Sequence, residues 1–369
     1  MQNSIEIAPG KRARVAYSFD DIAVVPSRRT RDPKDVSTEW QIDAYKFDIP
    51  MMAAPMDSVM SPETAIEIGR LGGLGVLNLE GLWTRYDDPR IPLGEIASMP
   101  EKHATLRMQE IYSAPIRPEL IKERIKQIRD AGITVAASLS PQRTAELHKA
   151  VIDAGVDIFV IRGTTVSAEH VGSGEALNLK KFIYELDVPV IVGGVANGTA
   201  ALHLMRAGAA GVLVGFGGGA AHTTRKVLGV EVPMASAVSE VAAARREYLD
   251  ESGGRYVHVI ADGSVSTSGE IAKAVACGAD AIMMGSPLAR TAEAPGKGWH
   301  WGLEAHHPQL PRGNRVQVGT IGTLTEVLTG PSHTSDGSMN LFGALRRSMA
   351  TCGYSELKEF QRVEIVVQP

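Results

Sequence analysis

Cysteine is scarce in this chain. Two thiols, Cys277 and Cys352, in 369 residues exclude a disulfide scaffold and point to a reducing compartment. Long apolar runs are missing too, since none reaches the ~18 residues needed to span a bilayer. Met1 to Arg14 holds no apolar core of a secretory signal. Neither sign of charge dominates. The 38 Lys+Arg against 42 Asp+Glu leave a net charge of −4, which argues against nucleic acid or an anionic membrane as the main partner. No Pro/Gly/Ser-rich linker interrupts residues 120–290. These absences predict a cytoplasmic protein without a disulfide framework, built as one continuous unit.

What is present is an alternation. Short apolar, often β-branched runs at 49–56, 74–79, 133–140, 156–163, 188–195, 210–219, 256–264 and 280–290 are separated by helix-patterned stretches. Several runs, such as VIVGGV and GVLVGF, are apolar throughout, as parallel strands covered on both faces must be. Glycines end the helical stretches just before strands, at Gly132 and Gly155. Ser61 is a plausible N-cap, with Pro62 at the first helical position. Between Glu80 and Pro118 the proline spacing (Pro89, Pro92, Pro100, Pro115) reads as irregular chain. Repeated β/α units fit an α/β fold of the (β/α)8 TIM-barrel type better than a doubly wound sheet. The predicted organisation is a single domain over 1–369, with a barrel core at about 49–290, an N-terminal segment 1–48 and a tail 291–369.

In such barrels chemistry sits at the C-terminal ends of the strands. After the sixth run stands Gly215-Phe216-Gly217-Gly218-Gly219, a loop whose backbone can approach a ligand or ion closely. After the seventh comes Asp262-Gly263-Ser264, and after the eighth Gly285-Ser286. Small residues in these adjacent loops let backbone N–H groups reach phosphate oxygens. Asp262 suits ribose hydroxyls, or else a turn cap.

Six ordered segments carry a family resemblance: FDDIAVVPSRR (19–29), AAPMDSVM (53–60), GGLGVLN (72–78), VGFGGGAAHTTR (214–225), IADGS (260–264) and IMMGSPLA (282–289). The chain resembles the IMP dehydrogenase/GMP reductase family, and more closely the IMP dehydrogenase-related proteins of actinobacteria. The resemblance implies a purine nucleoside monophosphate as ligand, with its phosphate on Gly263, Ser264, Gly285 and Ser286 and with Met284 among the nucleotide-binding residues. It implies ribose on Asp262 and the base against Met56. It further implies NAD or NADP, a monovalent cation on the carbonyls of Gly217, Gly219 and His222, acid/base work by Thr224, and a homo-oligomer, tetrameric in relatives. The interval from Leu82 to Pro118 is too short for the paired CBS modules that typical IMP dehydrogenases insert there.

The resemblance breaks at the reacting end. The family's nucleophile is a cysteine whose thiolate adds to C2 of the purine. Here that position is His222, and the two cysteines, Cys277 and Cys352, fall inside helix-patterned stretches away from that loop. Losing the nucleophile of a covalent enzyme costs on the order of 10^4–10^6 in rate. His222 is therefore expected to serve as an acid or base, if it acts in catalysis at all. The aspartate that helps hold the dinucleotide after the fourth strand is replaced by Ile161-Arg162-Gly163, and no Arg-Tyr pair stands between Arg290 and Val318. Three activities stay open: family oxidoreductase chemistry on IMP, GMP reduction, or nucleotide binding by a catalytically impaired regulator or partner subunit.

Overall fold

Eight parallel strands close into a barrel in the computed structural model, which describes residues 4–167, 177–221, 224–302 and 315–368. They are β1 (Met51–Ala53), β2 (Leu74–Asn78), β3 (Ala136–Leu139), β4 (Ile158–Arg162), β5 (Val190–Val195), β6 (Gly211–Val214), β7 (His258–Asp262) and β8 (Ala281–Met284). Each pairs with its sequence neighbours. β8 returns to β1 with Ile282 opposite Met51 and Met284 opposite Ala53, which leaves the sheet no edge. Every strand lies inside its predicted run and is shorter than it, because residues at the ends of the runs leave the ladder for the loops at the two rims of the barrel. All residues of β1, β3, β5, β6 and β8 are buried, as a sheet covered on both faces requires.

Helices α1 (Pro62–Arg70), α2 (Pro118–Asp130), α3 (Pro141–Asp153), α4 (Leu179–Tyr184), α5 (Gly198–Arg206), α6 (Met234–Glu251), α7 (Ser268–Ala276) and α8 (Leu341–Thr351) ring the barrel. Their starts are written locally. Ser61 caps α1 in a capping box with Thr64, and Thr267 caps α7 in one with Glu270. α2 buries Leu120, Ile121, Ile125 and Ile128, one stripe of the helix.

Two expectations are corrected. The stretch 80–118 is not irregular, since it holds helices at Arg90–Ser98 and Glu101–Tyr112. Pro89 and Pro100 precede those helices, and Pro92 lies in a first turn where no intrahelical N–H is lost. The prolines therefore mark helix starts. Cys277 and Cys352 are not inside helices but cap the C-termini of α7 and α8, both buried.

The bottom of the barrel is closed by charge as well as by apolar packing. Asp280, just before β8, is 2% exposed. It accepts hydrogen bonds from Arg245 Nη1 (2.7 Å), Tyr256 Oη (2.7 Å), Lys358 Nζ (2.6 Å), Gln361 Nε2 (2.9 Å) and the Val259 amide (2.8 Å). Burial alone would raise this carboxyl, but Arg245 and Lys358 hold it at about 2. Beside it, Trp40 Nε1 donates to His258 Nδ1 at 3.2 Å, which ties the Trp40–Ile42/Tyr45–Phe47 hairpin to the barrel floor. A second antiparallel pair joins Ile22–Val25 to Glu364–Val367, so both ends of the chain are anchored below the barrel. No helix among the described residues is long and apolar enough to cross a membrane.

Candidate functional site

The barrel mouth opens into a cavity of about 650 Å³. Its walls come from loops that follow different strands, so the fold itself assembles residues scattered through the chain. Met56, Gly217, Gly219, Asp262, Gly263, Ser264, Met284, Gly285 and Ser286 all line it. Thr224 is buried at the start of the turn Thr224–Leu228 and is not part of the cavity lining. His222 lies outside the described residues, while its neighbour Ala221 lines the cavity.

Three loops interlock at one side. Asp262 pairs with Met283 across β7 and β8, so Gly263–Ser264 and Gly285–Ser286 stand side by side as predicted. The glycine loop lies over both. Gly217 N donates to Asp262 O at 3.1 Å, and Ala220 N donates to Ser286 Oγ at 2.9 Å. The fit leaves no space for side chains. A Cβ on Gly263 would run into the backbone of Gly217, one on Gly218 into Ser264 Oγ, and one on Gly219 into Ser286 Oγ. Ser264 itself adopts φ +54°, a left-handed conformation that costs a non-glycine residue about 1 kcal/mol or more. Turned backbone, small residues and two serine hydroxyls make an anion cradle.

Asp262 does not wait unpartnered for a ligand. Arg162, the last residue of β4, donates from Nε to Oδ2 at 3.0 Å and from Nη2 to Oδ1 at 3.2 Å. The pair is deep, with 11% of the arginine and 5% of the aspartate side chain exposed. Burial raises the carboxyl above its ordinary value, and the guanidinium pulls it back down. Each carboxylate oxygen retains a second acceptor position, so ribose hydroxyls can share it with Arg162.

The opposite wall rests on the loop after β1. Asp57, 2% exposed, accepts from Tyr112 Oη at 2.6 Å and from the Leu82 amide at 2.9 Å. Gly81 passes so close that any Cβ there would overlap the Asp57 carboxylate. Trp301 Nε1 donates in turn to Tyr112 Oη at 2.8 Å, and Trp301 N donates to Ser58 Oγ at 3.3 Å. Ser58 Oγ lies 2.8 Å from His300 Nδ1. This network fastens residues 299–302 of the tail over the mouth and places His300 in the cavity wall. Burial holds the His300 imidazole down at about 4, so the ring is neutral at physiological pH.

The cavity continues past Arg162 to a polar lobe lined by Asn78, Glu80, Ser140, Arg143 and Thr165. Glu80 is fixed there, accepting from the Ser140 amide. In the sequence Arg162 stands out only as a replacement, and His300 is one of several tail histidines with no local pattern to single it out. The signal for Arg162 was a charge at the end of an apolar strand run.

A family model for the IMP dehydrogenase / GMP reductase domain matches residues 16–302. The chain belongs to the IMP dehydrogenase/GMP reductase family. It is 55% identical over 372 residues to an uncharacterized oxidoreductase of Mycolicibacterium smegmatis, covering 98% of this chain and 99% of the relative. At greater distance it is 28% identical to the inosine-5′-monophosphate dehydrogenase of Methanocaldococcus jannaschii, covering 95% of this chain and 92% of that enzyme. The crystal structure of an IMP dehydrogenase/GMP reductase-like protein from Corynebacterium glutamicum superposes with a TM-score of 0.94 at 52% identity, covering 99% of this chain and 97% of that one. Neither of the chain's two thiols is among the residues that line the cavity. Cys277 and Cys352 are buried at helix ends, and burial pushes both thiols up, away from the reactive thiolate.

Proposed function

We propose that this protein binds a purine nucleoside 5′-monophosphate in the barrel mouth, with NAD or NADP alongside, and that it does not carry out thiolate-dependent IMP dehydrogenation. The observation that carries the binding half is the interlocked cradle of Gly219, Ala220, Ser264 and Ser286 beside the Asp262–Arg162 pair. In this reading the phosphate lies on the cradle, Asp262 takes the ribose, and Met56 and Met284 face the base. The polar lobe from Ser140 to Arg143, with Thr164 and Thr165, offers hydroxyl, amide and guanidinium groups of the kind that hydrogen-bond a dinucleotide. Such a cofactor, when bound, exchanges a hydride with the purine. The carbonyls of Gly217, whose φ is +80°, and of Gly219 suit a monovalent cation in this reading. The family likeness further favours a single-domain cytoplasmic protein that assembles as a homo-oligomer, which light scattering would measure.

The second half rests on His222 and on the two buried thiols. It favours either a different reaction, GMP reduction included, or a nucleotide-binding regulator or partner subunit. The test is NADH production from IMP by the wild type, His222→Ala and a Cys277→Ala/Cys352→Ala double variant, with calorimetric titration of IMP in parallel. Binding without family-like turnover is expected. Robust turnover that vanished in His222→Ala would assign the histidine a mechanism of its own, and turnover lost only in the double variant would move the nucleophile elsewhere.

A further inference from the structure

Three side chains converge on Gly285 in the cavity wall. A Cβ placed there would meet Met56 Sδ at 3.1 Å, Ala54 Cβ at 3.5 Å and His300 Cε1 at 3.6 Å. His300 is bonded to the same loop that carries Met56, since its Nδ1 lies 2.8 Å from Ser58 Oγ, two residues further on. It therefore stands beside Met56 and Gly285, where the loops after β1 and β8 meet in the cavity wall.

We propose that His300 is a specificity-determining residue, presenting Nε2–H as a hydrogen-bond donor to an acceptor atom on the base of the bound nucleotide. This rests on the purine-nucleotide reading given above.

The tautomer follows from the Ser58 hydroxyl. Ser58 Oγ already accepts from Trp301 N. Its own proton can go to His300 Nδ1 at 2.8 Å or to Trp301 O at 3.5 Å. The second distance is at the limit of a hydrogen bond, so the proton goes to Nδ1 and Nδ1 accepts. Burial keeps the ring neutral, and a neutral imidazole with an accepting Nδ1 carries its hydrogen on Nε2. Nε2 has no partner among the described residues, in a side chain that is only 2% exposed and lines the cavity. The atom is not sealed from the cavity, so an acceptor on a bound ligand can reach it. Trp301, Tyr112 and Asp57 hold Ser58 and the ring in position from behind.

The residue reads the base, so its loss must be felt by a ligand that has one and not by a ligand that lacks it. The experiment is calorimetric titration of IMP and of ribose 5-phosphate into the full-length wild type, His300→Phe, which fills the space without a donor, and His300→Gln, which restores one. Ser58→Ala is a second route that frees the Nδ1 partner while leaving His300 in place. His300→Phe should weaken IMP by about tenfold and leave ribose 5-phosphate unchanged. His300→Gln should recover most of the loss, and Ser58→Ala should give a smaller loss on IMP alone. Equal weakening of both ligands, or unchanged IMP affinity in His300→Phe and Ser58→Ala, overturns the assignment to the base while nucleotide binding stands. A wild type that binds neither ligand overturns the nucleotide reading itself, and this inference with it.

Discussion

The residues that most define this site are the two that bind each other. Arg162 and Asp262 exchange two hydrogen bonds in a mouth where both are largely dry. A buried pair of this kind is weak evidence for stability, but removing one partner is expensive because the other charge stays behind. Arg162→Ala should therefore lower stability by about 3–5 kcal/mol, read as a drop in denaturant midpoint. Replacing both residues by leucine should return much of that stability without returning nucleotide binding. Asp262→Ala should weaken a purine nucleoside monophosphate by about 1–3 kcal/mol, the scale of hydrogen bonds to a charged acceptor. Calorimetry with unchanged affinity in that variant would remove Asp262 from any ribose role. Arg162 also explains why the carboxylate can be kept at the bottom of an apolar barrel mouth. A guanidinium with two parallel donors matches a carboxylate better than a single ammonium could.

At the level of elements, the strand–helix alternation was legible because its signals are local. Apolar runs, the Ser61 cap and the glycines after helices each act within a few residues, and all eight strands fall where those signals lie. The phosphate-side loops were legible for the same reason, standing directly after β7 and β8. The pairings that finish the site were not. Arg162 finds Asp262 across 100 residues and Ser58 finds His300 across 242, and no local pattern encodes either. The helices at 90–112 are masked by prolines that read locally as breakers, although they occupy positions where a helix begins. The interlocking of the three mouth loops gives a prediction at this scale. A Cβ at Gly219 meets Ser286 Oγ, and a Cβ at Gly218 meets Ser264 Oγ. Gly219→Ala must turn the Ser286 hydroxyl away and break the Ala220–Ser286 bond. The loop sits at the rim, so global stability should change little while nucleotide affinity falls by about 1–3 kcal/mol, the usual cost of overpacking a fitted contact. An alanine variant with wild-type affinity for both IMP and inorganic phosphate would show that the cradle does not hold the phosphate.

Buried charge gathers at both ends of the barrel, at Asp57, Arg162 and Asp262 in the mouth and at Arg245 and Asp280 in the floor, and acid should act on both. His258 in the floor and His300 in the mouth are each held by burial at about 4, well below the ordinary histidine value. Below pH ~6.5 the unfolded chain takes up protons at both positions and the folded chain does not. The stability they contribute is therefore complete above that pH and is lost as pH falls from about 6.5 towards 4, by up to about 3 kcal/mol for each group. Asp280 acts lower down. Its carboxyl is held at about 2 by Arg245 and Lys358 against the pull of its own burial, so its share, about 2 kcal/mol, is present above its ordinary value near 3.8 and is lost as pH drops towards 2. The stability curve should be flat above neutrality, fall through the mildly acidic range, and fall again in strong acid. The two steps are separable by mutation. His258→Gln puts a side chain that does not titrate beside Trp40 and Asp280, so the decline between pH 7 and pH 5 should shrink while the loss below pH 4 remains. Asp280→Asn should do the reverse, with a lower melting temperature at every neutral pH because Arg245 and Lys358 lose their shared acceptor. Melting temperatures of the three proteins from pH 8 to pH 3 decide the matter, and a His258→Gln curve parallel to the wild type across the upper range would mean that this buried imidazole takes no part in the acid response.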